Sequence, residues 1–289
     1  MRFGYGTNGF ANHRLDEAFS VLADMGYDGV ALTLDAGHLD PCAPDIGRQV
    51  ERVGKRLSEL GLAVVIETGG RYVLDPLRKH YPTLLHPPET AALRIDLLRC
   101  AVSIAADLGA EAVSFWSGIR PPEMDEEEAW RNLAIGVTAV LEEADAREVT
   151  LGFEPEPGML VDTLAAFERL YELTGRPERL GLTLDIGHCR CLEPDPVPDC
   201  VRRAGAHLVN VQIEDMRRGV HEHLEFGEGE IDFPPVLSAL DEIGYKGLVS
   251  VELPRHSHAA PVVAAQSLRF LRELDSLGDT RVHGDGAAR

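Results

Sequence analysis

LGLTLDIGH, residues 180–188, is the stretch whose reading decides the fold. It is short and apolar at alternating and intervening positions alike, and its first strongly polar side chain, Asp185, comes at the end. A strand buried on both faces has that look, which is the habit of a parallel sheet covered by helices. Seven further runs share the pattern: RFGYGT, DGVALTLD, LAVVIETG, EAVSFWSG, VTLGFEPE, HLVNVQIED and GLVSVEL. Helical periodicity fills the intervals. Leu15, Ala18, Phe19 and Leu22 recur at i, i+3, i+4 and i+7, and Leu93, Leu97, Ala101, Ile104 and Leu108 form a second such row. LGA at 108–110, TGRP at 174–177 and GYKG at 244–247 each stop a helix ahead of a strand.

Eight strand–helix units in 289 residues fit a single-domain α/β protein, a (β/α)8 TIM barrel over residues 1–277. A doubly wound open sheet is the competing arrangement, and length alone would also allow two ordinary domains. No low-complexity linker divides the chain. Residues 278–289, GDTRVHGDGAAR, carry no apolar period and are expected to fray as a disordered tail.

With 28 basic and 48 acidic residues the formal net charge is −20, which opposes nucleic acid and anionic membrane surfaces as partners. The amino end, MRFGYGTNGF, has no basic region followed by a long apolar core, and the longest purely aliphatic runs are short; a cytoplasmic location is expected. Five cysteines without regular spacing read as reduced thiols. Cys189 and Cys191, close to His188, offer the other reading of a soft-metal site, but with no second pair.

In a barrel, chemistry collects at the carboxyl ends of the strands. Glu154 follows LGF, Asp185 follows LTL, Gln212 follows VNV and Glu252 follows VSV, at separations of 31, 27 and 40 residues. Strands five to eight would thus each present one oxygen donor to a common point. Three carboxylates held close together repel, and a divalent cation lets all three stay ionised. Carboxylate and amide oxygens suit Mn²⁺ or Mg²⁺, with Co²⁺ and Zn²⁺ also compatible. The competing reading is that each acid merely caps the following helix. His188 lies three residues beyond Asp185, within reach of the metal region or a substrate hydroxyl. Glu67, His13 and Trp116 occupy equivalent rim positions on strands three, one and four. Trp116 would wall a sugar's carbon face or fill the core, and Glu156 is expected to face solvent.

The combination of GFEPEPG, LTLDIGHC, FGEGEIDF and GYKGLVSVEL resembles the xylose isomerase-like TIM barrel superfamily, whose members include sugar and sugar-phosphate isomerases and epimerases. The likeness runs from about residue 2 to 275. It implies Glu154, Asp185, Gln212 and Glu252 as metal ligands, Glu154 and Glu252 as the acid and base, and His188 and Arg218 on substrate oxygens. Gln212 departs from the histidine common at that position and is similar to what hydroxypyruvate isomerase relatives present.

The stretch QIEDMRRGVHEHLEFGEGEIDF, residues 212–233, shows neither helical nor strand periodicity and reads as one functional loop. Arg217, Arg218, His221 and His223 are expected to face the substrate, Gly227 and Gly229 to turn the chain back, and the neighbouring acids to form a solvated rim. The function these residues imply is a metal-dependent isomerase or epimerase of a ketose or keto-polyol, working through an enediolate. A hydroxypyruvate isomerase-like aldose–ketose isomerase and a non-catalytic metabolite-binding barrel are the alternatives. An apurinic endonuclease, the other enzyme class on this barrel, is disfavoured by the charge and by the few rim histidines. No GxGxxG follows the first strand, so a dinucleotide is not expected. A homo-oligomer is suggested by analogy with relatives.

Overall fold

The computed structural model describes residues 1–284. Eight parallel strands close into a barrel: β1 (Arg2–Gly6), β2 (Gly29–Thr33), β3 (Ala63–Glu67), β4 (Val113–Phe115), β5 (Leu151–Phe153), β6 (Leu180–Asp185), β7 (Leu208–Ile213) and β10 (Leu248–Val251). β10 returns to pair with β1, so no open edge remains and the doubly wound alternative is excluded. Every residue of β2 and β6 is buried, because the barrel interior takes one face and the helical ring takes the other. Edge-to-face rings help fill the interior, Phe115 against Phe153 at 5.1 Å and Tyr5 against Phe10 at 5.4 Å.

The ring contains α1 (Leu15–Met25), α2 (Ile46–Leu60), α3 (Pro88–Leu108), α4 (Glu126–Arg147), α5 (Leu164–Leu173), α6 (Ile186–Leu192), α7 (Val197–Ala204), α8 (Phe233–Glu242) and α9 (Ala260–Gly284). α1 buries the expected row, Leu15, Ala18, Phe19 and Leu22. α3 departs from its expected row, since Leu93 is 55% exposed and the buried face runs through Arg94, Leu97, Leu98 and Ala101. Arg94 can occupy an inner position because Nε donates to the Pro82 carbonyl at 2.9 Å and Nη2 to that of His80 at 3.0 Å. Gly109 closes α3 at φ +63°, the left-handed conformation that the LGA stop signal requires. The tail expected from residue 278 coincides with the last turns of α9 and, beyond 284, lies outside the described residues.

The charged segment after β7 is not a loop. β8 (Asp215–Arg217) and β9 (Val220–Leu224) pair antiparallel as a hairpin above the barrel, with Gly219 turning at φ +70°. Its strands carry no apolar alternation because His221 and His223 face a polar cavity and Arg217 and Val220 are exposed, while only Met216 and Leu224 are buried hydrophobics. Asp215 fastens the hairpin to the chain returning towards α8: Oδ2 accepts from the Gly227 N–H at 2.9 Å and Oδ1 from that of Ile231 at 3.1 Å. Asp215 and Glu214 are fully buried, so the expected solvated rim begins only farther along the segment.

Candidate active site

Strand register sets the floor of the site. Asp185, the last residue of β6, pairs with Gln212 of β7, and Gln212 pairs with Ser250 of β10, so Glu252 stands just beyond the same layer. Glu154 follows β5 directly and its N–H bonds the Phe115 carbonyl at 2.8 Å. A cavity of about 530 Å³ opens over this floor, within the range of small-ligand sites. Glu67, Trp116, Glu154, Glu156, Gln212 and Glu252 line it, with His221 and His223 descending from the hairpin. Asp185 and His188 lie buried and do not line the open cavity.

The side chains are held individually. Glu154 Oε2 accepts from Ser114 at 3.3 Å and Glu252 Oε1 from Asn8 Nδ2 at 2.9 Å. Glu67, at the end of β3, accepts from Asn210 Nδ2 at 3.2 Å. His188 faces the Pro155 carbonyl oxygen through Nδ1 at 3.1 Å, while its Nε2 lies 3.1 Å from His221 Nε2 and 3.5 Å from Asp185 Oδ2. The rings of His188, His221 and His223 form a triangle with centroids 4.8 to 5.8 Å apart. Trp116 lines the cavity and packs edge-on against His80 at 4.8 Å.

Electrostatics reflects crowding of like charge. Burial pushes the Glu154 carboxyl well above its ordinary range, and Glu156 and Glu252 add repulsion. Burial and Glu252 raise Glu67 to about 8, and burial followed by Asp185 raises Glu156 to about 7. Burial opposes ionisation of Asp185 too, yet His188, His223 and the backbone N–H of His188 hold its carboxyl below the usual value. Two buried oxygens, Asp185 Oδ2 and Gln212 Oε1, have no hydrogen-bond partner. Orphaned acceptors among several carboxylates are costly without a cation. Oxygen donors of this kind fit a hard divalent metal ion. Ligand atoms of Asp185, His223 and Glu252 lie within 4.8 Å of one another, as do those of Glu154, Glu156 and His188.

Some expected residues fall elsewhere. His13 does not line the cavity; it packs on Phe10 at 5.1 Å, and Asn8 reaches the site from the same segment instead. Arg218 is exposed at the hairpin tip and donates to the carbonyls of Glu193 and Arg190, so the structure does not bring it to the cavity. Arg217 is likewise exposed, donating to the Glu228 carbonyl at 2.7 Å. The cations on the cavity wall are Arg71, Lys79 and Arg255, the last paired with Glu222 at 2.9 Å. Glu156, expected in solvent, lines the cavity. All five cysteines are unpaired, and no metal-compatible grouping among the described residues includes one. No helix among the described residues is long and apolar enough to cross a membrane.

A closed eight-stranded barrel with carboxylates gathered at the strand ends defines the class. A family model described as "Xylose isomerase-like TIM barrel" matches residues 19–274, and the chain belongs to that family. It is 28% identical over 251 residues to L-ribulose 3-epimerase of Mesorhizobium japonicum, covering 84% of this chain and 76% of that protein. It is 25% identical over 268 residues to the uncharacterized protein MJ1311 of Methanocaldococcus jannaschii, covering 87% of this chain and 83% of that one. A solved structure of an L-ribulose 3-epimerase superposes with a TM-score of 0.81 at 23% identity, covering 100% of this chain and 99% of that chain.

Proposed function

We propose that the protein is a divalent-metal-dependent epimerase or isomerase of a ketose or related keto-polyol, which moves a proton beside the carbonyl through an enediolate. The observation that carries this reading is the set Glu154, Asp185, Gln212 and Glu252 on four adjacent barrel strands, with Asp185 Oδ2 and Gln212 Oε1 buried and unpartnered. Its likeness to a sugar epimerase over most of both chains supports the substrate class. Mn²⁺ or Mg²⁺ suits the oxygen donors, and such an ion polarises a carbonyl and acidifies the neighbouring C–H.

The protein's own groups do the rest. Glu154 and Glu252 each have one oxygen engaged, by Ser114 and Asn8 respectively, so each carboxylate is oriented while the other oxygen remains to take or return a proton. Return on the opposite face gives epimerisation, and return to the adjacent carbon gives isomerisation. Trp116 supplies an apolar wall, and Arg255 a positive charge at the cavity edge.

Incubating the Mn²⁺-loaded protein with a panel of ketoses in D₂O tests the reading. Deuterium should enter the substrate at the carbon beside the carbonyl. Binding of a ketose with no exchange would instead identify a metabolite-binding barrel.

A further inference from the structure

The hairpin brings a nitrogen donor to a floor otherwise made of oxygens. A ring nitrogen of His223, on β9, lies within 4.8 Å of carboxylate oxygens of both Asp185 and Glu252. Its Nδ1 stands 3.6 Å from Glu214 Oε1. Glu214 is fully buried, and neither of its oxygens nor His223 Nδ1 has a hydrogen-bond partner. Leaving three such atoms unmatched is expensive unless they serve one another. The local backbone accommodates this carboxyl, because any side chain at Gly187 would collide with Glu214 Oε1. Metal-bound imidazoles are usually oriented by a carboxylate or carbonyl on the ring nitrogen that does not bind the metal, and Glu214 is the buried carboxylate beside the His223 ring.

We infer that His223 is a ligand of the same divalent ion that Asp185 and Glu252 hold, with Glu214 as the positioning residue behind it. This rests on the metal-dependent reading proposed above and adds a donor from outside the barrel strands. It also assigns a preference among metals. An all-oxygen floor suits Mg²⁺ as well as Mn²⁺, whereas an imidazole favours Mn²⁺, Co²⁺ or Zn²⁺ over Mg²⁺. Discrimination against Mg²⁺ would therefore reside in β9.

The test uses metal-stripped full-length protein titrated with Mn²⁺ alone, and with Mn²⁺ against excess Mg²⁺, followed by pulsed EPR of the bound Mn²⁺. An imidazole ¹⁴N coupling is expected in the wild type and should disappear in His223→Gln. That variant should bind Mn²⁺ at least tenfold more weakly and lose much of its preference over Mg²⁺. Glu214→Gln should weaken Mn²⁺ by about 10- to 100-fold while retaining the coupling. His223→Asn repeats the test with a shorter amide, and the melting curve of each metal-free variant checks that it folds. The inference is overturned if the folded His223 variants keep wild-type Mn²⁺ affinity, or if the coupling persists in them. Asp185→Ala separates the two levels: should it also bind Mn²⁺ normally, the four-strand metal site itself is wrong, and not merely the role of His223.

Discussion

Asp185 serves two neighbours with its two oxygens: Oδ1 accepts the backbone N–H of His188 at 2.8 Å, and Oδ2 lies 3.5 Å from the His188 ring with no hydrogen bond of its own. Capping a helix and binding a metal are therefore not rival roles for this residue. The first oxygen starts α6 and the second is left over.

Separate substitutions should resolve these roles. Asp185→Asn keeps an acceptor for the cap and removes the charge, so metal affinity should fall at least tenfold with stability close to wild type. Asp185→Ala loses the cap as well, costing about 1 kcal/mol of stability in addition. Calorimetric metal titration and urea unfolding of the metal-free proteins measure the two effects independently. Equal stability of the Asn and Ala variants would show that the cap contributes nothing.

Glu154 and Glu252 should behave as a pair of proton carriers. Glu154→Gln and Glu252→Gln each keep an amide oxygen but no proton acceptor, so turnover should fall by about 10² to 10⁴ while part of the metal remains. In D₂O, one of the two is expected still to exchange the substrate C–H without inverting it. Wild-type turnover in both variants with metal bound would rule out the two-glutamate mechanism.

Arg218 should matter to the hairpin rather than to substrate. Its guanidinium ties the hairpin tip to the backbone at the end of α6, so Arg218→Ala should leave kcat/KM within about twofold. The same variant should lose on the order of 1 kcal/mol of stability. A rise in KM of an order of magnitude, read from steady-state kinetics, would instead place Arg218 at the substrate.

Stability of the metal-free protein should depend on pH through Glu67. Burial and the neighbouring Glu252 raise its carboxyl from 4.5 to about 8, so the folded state retains a proton that the unfolded chain releases. The stabilisation is fully present below the unfolded value and disappears as pH rises through the folded one. Urea midpoints measured in chelator should fall from about pH 5 to about pH 8, and Glu67→Gln should make that fall shallower, with the raised Glu154 and Glu156 carboxyls supplying the remainder. An unchanged slope in the variant would show that Glu67 is not the group responsible.

The barrel and the placement of Glu154, Asp185, Gln212 and Glu252 at its strand ends were legible because a single rule, apolar strands ending in polar residues, applies wherever both faces of a sheet are covered. Supporting residues obey no such rule. Ser114 lies inside the apolar run VSF, and Asn8 sits in a 3₁₀ turn with no periodicity, so their roles emerge only across the closed barrel. Glu214 read as surface acid because charge is ordinarily solvated, and its burial depends on a glycine 27 residues earlier in sequence. The hairpin was hidden because strand recognition relies on an apolar face, which β9 lacks.

The hairpin leaves the barrel at the end of β7 and returns through the run leading into α8; Asp215 staples its base, and Arg218 and Gly219 tie its tip to the end of α6. Exchanging residues 215–226 between barrels of this family would replace the donors above the floor while leaving barrel closure and the strand-end carboxylates in place. Substrate choice and metal preference could then diverge among relatives without a change in the scaffold that folds them.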